Sequence, residues 1–146
     1  MDELDRKIIA LLQVNGRASN ARIAREVGVS EGTVRRRLRR LVQDGIIQIA
    51  AIPDPEKVGY RTVALIGVQA DPDRLDEVAD HLAQLPEAQY VALTTGTFDI
   101  FVGVALPNPE ALGTFLRRKV GTTPGVRRTE TFVNLAIRKR GHGIVL

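Results

Sequence analysis

The stretch IAREVGVSEGTVRRRLRRLVQDG, residues 23–45, limits what this chain can fold into more than any other part of it. Gly28-Val29-Ser30 leaves room only for a tight turn, in which glycine supplies a left-handed position and serine caps the next helix. Before the turn, Ser19 caps a short helix whose Ile23, Ala24 and Val27 point inward. After it, Val34, Leu38 and Leu41 recur at helical spacing between Glu31 and Gln43, and Asp44-Gly45 ends the run. Two short helices joined in this way make a helix-turn-helix. Upstream, Leu4, Ile8, Leu11 and Leu12 mark a further helix for the pair to pack on, with Asp2 as its cap and Asp5 in the capping-box position.

Charge points to the partner of this motif. Between Arg17 and Arg40 stand eight arginines and two acids, Glu26 and Glu31. This local excess of +6 lies in a chain of net charge +4, so the other 122 residues sum to −2. All eight cations are arginine, whose planar fork suits phosphates and guanine edges. A polyanion partner follows, and double-stranded DNA is the one a helix-turn-helix reads. At 100° per residue, Arg36 lies opposite the apolar stripe of the third helix, and Arg39 and Arg40 flank it. Arg36 is expected to meet a guanine edge, and Arg35, Arg39 and Arg40 to meet phosphates. Gly32 and Thr33 are small residues that let the helix start approach base edges, and Ser30, the cap of this helix, is expected with them at the DNA-binding surface. Ser19 and Arg22 are placed for the DNA backbone. Arg37 leans towards the apolar side and is expected to pair with an acid such as Asp5 or Glu26.

The rest of the chain has another pattern. IIQIAAIP carries a strand signal, and PDPEKVGY is a Pro/Gly-containing connection. The expected organisation is a helix-turn-helix domain with its following strand over 1–52, a linker over 53–60, and a second domain over 61–146. In the second domain RTVALIGVQA is a strand, and PDRLDEVADHLAQL is a helix with Leu75, Val78, Leu82 and Leu85 inward. YVALTT and FDIFVGVAL are strands. Asn108-Pro109 opens a helix with Leu112, Phe115, Leu116 and Val120 inward, and RRTETFVNLAI is the last strand. The order βαββαβ is the ferredoxin-like arrangement, so the fold class is α+β. In FDIFVGVAL, Phe98, Ile100, Val102, Val104 and Leu106 point one way and Phe101, Gly103 and Ala105 the other. Two helices cover only one face of such a sheet. The second apolar face predicts a homodimer with sheets or edges apposed.

Other function classes lack their residues. The chain has no cysteine, so disulfides, thiolate metal sites and cysteine nucleophiles are excluded. Its two histidines, His81 and His142, have no metal-ligand spacing, and neither a metal nor a cofactor is expected. Neither a phosphate-binding GxxxxGK[ST] nor a dinucleotide-binding glycine fingerprint is present. Asp71, Asp73, Asp76, Glu77 and Asp80 read as a solvated face at a helix start. Base stacking on the sheet, as in an RNA-recognition motif, needs an aromatic pattern that Tyr90, Phe98 and Phe101 do not supply. No run approaches a membrane span and the acidic start does not resemble a signal peptide, so a cytoplasmic location and no membrane partner are expected.

TTGTFD joins two antiparallel strands and contains Gly96, with Asp99 the one acid in an apolar strand. A carboxylate beside exposed amides can hold a small zwitterion, and Thr129 and Thr131 can add hydroxyls. A plain hairpin with Asp99 bonded to its own turn accounts for the same residues.

The segments LDRKIIALLQVNGRAS, IAREVGVSEGTVRRRLRRLVQDGII, IPDPEKVGY, TTGTFD and TPGVRRTET, in that order, resemble the Lrp/AsnC or feast/famine regulators over nearly the whole chain. The resemblance implies a sequence-specific transcriptional regulator rather than an enzyme. It also implies a ligand-sensing βαββαβ (RAM/ACT-like) domain, and homodimers that assemble further, often to octamers. An amino acid or related metabolite would bind between dimers, near Thr95, Gly96, Thr97, Asp99, Thr129 and Thr131. Two other readings are an architectural DNA-binding protein without an effector and an enzyme like the siroheme decarboxylases, which resemble the same family.

Overall fold

A computed structural model describes residues 1–146, which divide into two compact units. The first comprises Met1–Ile52 with Lys139–Leu146, and the second Pro53–Arg138. The sequence placed Lys139–Leu146 with the sheet. In the structure this segment groups with the helices, where a Cβ at Gly143 would lie 3.1 Å from the Gln13 side chain.

The first unit holds α1 (Glu3–Val14), α2 (Asn20–Val27) and α3 (Glu31–Gln43). Each start is capped as its sequence requires. Asp2 and Asp5 form a reciprocal capping box on α1, each carboxylate accepting the other's backbone N–H at 3.0 Å. Ser19 caps α2 and Ser30 caps α3. Gly28, at φ 75°, makes the tight turn between α2 and α3. Ile8, Ile9, Ile23, Ala24, Val34 and Leu41 form the buried centre, with Leu4, Leu11, Leu12, Val27 and Ile47 packed around it. The apolar periodicity thus finds its helices, and Ile9 joins the expected set.

No strand forms over residues 46–52. The N–H groups of Ile46 and Ile47 both donate to Leu41 O, at 2.9 and 3.2 Å, as α3 ends. Gly45 takes the left-handed conformation this ending needs. The apolar residues beyond lack a neighbouring strand within the chain, and Ile46, Ile49 and Ile52 stay exposed.

The second unit runs β1 (Thr62–Ala70), α4 (Leu75–Ala83), β2 (Ala88–Leu93), β3 (Ile100–Leu106), α5 (Pro109–Phe115) and β4 (Val126–Val133). A 3-10 turn, Pro72–Arg74, leads into α4, and a π-turn, Leu116–Val120, extends α5. The sheet is antiparallel in the order β2-β3-β1-β4. This is the expected βαββαβ topology. Ile66 and Val68 of β1 and Ile100, Val102 and Val104 of β3 meet Val78, Leu82, Leu112, Phe115 and Val120 in one core.

Phe98 departs from its expected side. It lies on the open face, where a Cβ at Gly67 would be 2.6 Å from its ring. There it meets Phe101 and Phe132 edge-on, with centroids 5.7 and 6.1 Å away. The reason is local. The Ala70 N–H donates to the Asp99 carboxylate at 3.0 Å, while the pairing of β1 with β3 begins only at Val68 and Ile100. Strand alternation therefore does not extend back to Phe98.

Candidate DNA-binding surface and effector hairpin

The expected DNA-contacting residues all lie on α2, α3 and their caps, and the structure sorts the arginines into two groups. Arg36 and Arg39 are exposed and enter no ion pair. Arg22 pairs with Glu26 and Arg35 with Glu31, each at 3.0 Å on the same helix, with all four side chains at least two-fifths exposed. Such exposed pairs contribute little to stability. Gly32 has open space where a Cβ would stand, so the start of α3 presents no bulk. Hydroxyl groups here are already engaged. Ser19 Oγ accepts from Arg22 N at 3.1 Å, and Ser30 Oγ accepts from Thr33 N at 3.1 Å and lies 2.9 Å from Thr33 Oγ1.

Arg37 and Arg40 reach acids at the start of α1. Arg37 Nη1 donates to Asp2 Oδ2 at 2.6 Å and to Asp5 Oδ1 at 3.2 Å. Arg40 Nη2 donates to Asp5 Oδ2 at 2.8 Å. Arg37 thus takes the acid partner expected of it. For Arg40 the sequence carried no sign of Asp5, because Arg40 flanks the face opposite the apolar stripe and reads as a DNA contact. Asp2 is held down at about 2, first by the Asp5 backbone N–H and then by the Arg37 guanidinium. The same carboxylates raise the Arg37 guanidinium above its ordinary value.

The hairpin of the second unit is a compact loop. Thr94 Oγ1 donates to Phe98 O and Thr94 N to Asp99 O, both at 2.9 Å. Gln69 Nε2 donates to Thr97 O at 2.9 Å, and Asp99 N to Val68 O at 2.9 Å. Thr95, Gly96 and Thr97 are exposed, with Gly96 at φ 101°. Asp99 is half-buried and spends Oδ2 on Ala70 N, which belongs to a neighbouring strand rather than to its own turn. Thr94 and Gln69, which hold the loop in shape, were not among the expected residues. Their signal is only that each can hydrogen-bond across to the loop. Thr131 pairs with Ile66 and Thr129 with Val68, on the helix-covered face. Gly67, the residue between those two, lies under Phe98 on the open face. Within one chain the threonines and the loop tip therefore do not converge.

A helix-turn-helix with unpaired arginines on its outer face, followed by a βαββαβ unit, has the organisation of a DNA-binding module joined to a second domain. The AsnC-type helix-turn-helix domain matches residues 1–42, and the Lrp/AsnC ligand binding domain matches residues 63–144. An uncharacterised HTH-type transcriptional regulator of Pyrococcus abyssi is 39% identical over 146 residues, covering 99% of this chain and 92% of that protein. The HTH-type transcriptional regulator FL11 of Pyrococcus horikoshii is 39% identical over 95% of this chain and 92% of its own. Among solved structures, E. coli AsnC superposes with a TM-score of 0.88 at 30% identity, covering 97% of each chain. A Neisseria meningitidis transcriptional regulator in complex with L-Met superposes with a TM-score of 0.91 at 27% identity, covering 99% of this chain and 96% of that one. The chain belongs to the Lrp/AsnC family of transcriptional regulators, with a DNA-binding helix-turn-helix and a ligand-binding domain. Its relatives are named as regulators of transcription, not as enzymes. No helix is long and apolar enough to cross a membrane.

Proposed function

We propose that this regulator binds its operator as a homodimer, placing the start of α3 from each copy in successive major grooves. The observation that carries this reading is the pair of exposed, unpaired arginines, Arg36 and Arg39, beside the open approach at Gly32. Arg36 reads a guanine edge and Arg39 neutralises a phosphate. Arg22 and Arg35 exchange their glutamates for phosphates, and Ser19, Ser30 and Thr33 keep the helix starts in place. The copies meet through the open sheet face, where Leu65, Tyr90 and Phe132 are exposed around the buried Phe98 ring. An apolar face of this kind favours self-association.

The effector of this reading is an amino acid. Exposed amides of Thr95, Gly96 and Thr97 receive its carboxylate, and Asp99 receives its ammonium through Oδ1, which has no partner within the chain. Thr129 and Thr131 belong to this site only if another copy supplies them, which is why an assembly beyond the dimer, up to an octamer, forms part of the proposal. The L-Met complex of the Neisseria relative supports this ligand class. The test is to select duplexes from a random-sequence pool with the purified protein, then compare binding of the selected and scrambled duplexes. A selected consensus with two half-sites one helical turn apart is expected. Equal binding to both duplexes overturns operator recognition and leaves an architectural role.

A further inference from the structure

We propose that Asp5 is a positioning residue of the DNA-binding surface: it holds Arg40 with the outer edge of its guanidinium towards a DNA phosphate, and it keeps Arg37 out of the interface. The proposal rests on the DNA-binding reading above. Asp5 is fully buried, yet it stands on α1 and both its cationic partners stand on α3. A buried carboxylate persists only where its oxygens are satisfied. Here Oδ1 takes Arg37 at 3.2 Å, and Oδ2 takes Arg40 at 2.8 Å and the Asp2 N–H at 3.0 Å.

The two arginines differ in what remains available. Arg37 also bonds Asp2, and only 24% of its side chain is exposed. Its charge is spent inside the unit. Arg40 is 49% exposed and engages a single acid. A guanidinium carries five N–H donors in one rigid plane, so an arginine gripped on one edge presents the other in a fixed direction. Because residues 37 and 40 are one turn apart, tying both to α1 also fixes the rotation of α3 about its axis. Arg36 and Arg39 each lie one residue before these positions, 100° round the helix, so the tie sets where they point.

The test is a double-mutant cycle read on DNA binding, with the selected duplex and its scrambled control as probes, between about 50 and 200 mM salt. Arg40→Ala is expected to weaken the selected duplex about tenfold and to lower the salt slope by about one. Arg37→Ala leaves the slope unchanged. In an Asp5→Asn background the further loss from Arg40→Ala shrinks to about threefold or less, because Arg40 is already released. Circular dichroism checks that each variant folds. Should Asp5→Asn not fold, Asp5→Glu keeps the charge, moves the carboxylate by one methylene, and is expected to show the same non-additivity. Equal losses from Arg40→Ala in both backgrounds, or a slope lowered as much by Arg37→Ala as by Arg40→Ala, overturn the proposal. A wild-type chain that selects no duplex overturns the DNA-binding reading instead, so the two failures are distinguishable.

Discussion

In the helix-turn-helix unit six apolar side chains form the connected buried core, and the fully buried carboxylate of Asp5 lies in the same small unit. In the sheet unit the connected core has thirteen, and the buried polar side chains are two threonines, Thr62 and Thr123. The helices are therefore held by a modest apolar centre together with caps and ion pairs that reach from α1 to α3. The sheet has apolar surface to spare, and it leaves Tyr90 and Phe132 exposed. The contrast separates two uses of surplus. Charge not consumed in the first unit, as on Arg36 and Arg39, is in the proposed function what meets a polyanion. Apolar area not consumed in the second is, in the proposed function, the face that meets a copy of itself.

The largest test of this contrast is Ile23→Ala. Ile23 is fully buried, and its truncation should cost about 2–5 kcal/mol. Taken from a six-residue core, that loss should unfold the helices while leaving the sheet's transition in place. Calorimetry of Ile23→Ala against Ile66→Ala reads the difference. A single transition shared by both variants would erase it.

Asp99→Asn probes the sensing side. Asparagine still offers an oxygen to Ala70 N, so the loop should keep its shape, but the charge for an ammonium is gone. A thermal-shift screen of the twenty amino acids identifies a responsive ligand, which at about a hundred times its Kd stabilises the wild type by about 2.7 kcal/mol. The variant should lose that stabilisation while its DNA affinity without ligand stays unchanged. A retained shift would place the ligand elsewhere.

Gly67→Ala ranks next. Its new Cβ would meet the Phe98 ring at 2.6 Å, and overpacking of this kind costs about 1–3 kcal/mol. The sheet unit should melt earlier, and self-association, followed by sedimentation, should weaken with it. Unchanged sedimentation would mean that the copies do not meet on this face.

Much of the fold was legible because it rests on short-range rules. Caps at Asp2, Ser19, Ser30 and Asn108 follow from residue type and spacing, and so do the inward faces of the helices. What escaped was long-range. IIQIAAI has the isoleucine-rich signal of a strand, but composition does not supply a partner, and none forms. Phe98 sits on its face because a carboxylate from Asp99 replaces a ladder contact, which periodicity cannot reveal. The place of Arg40 on α3 points to a phosphate but not to its Asp5 partner, which only the fold brings to it. In the same way the sequence marked Thr129 and Thr131 as one face, while the register shows that face to be turned from the hairpin.

The smallest expected effect concerns acid. Asp2 is held at about 2 instead of 3.8, so its contribution is complete above about pH 4 and is lost as pH falls towards 2. In the sheet unit Glu87 is lowered by Lys119 and Glu77 by Arg74, so both contribute above the ordinary glutamate value and lose this on acidification. Both units thus weaken in the same direction, through different residues. Asp2→Asn separates them, because asparagine caps a helix as well as aspartate does and removes only the charge. Urea midpoints between pH 5 and 2 should show a flatter acid limb for the helical unit of Asp2→Asn and an unchanged one for its sheet. Since Asp2 is exposed, added salt should shrink the difference. An acid limb that keeps its wild-type slope in the variant would mean that the α1–α3 tie depends on Asp5 alone.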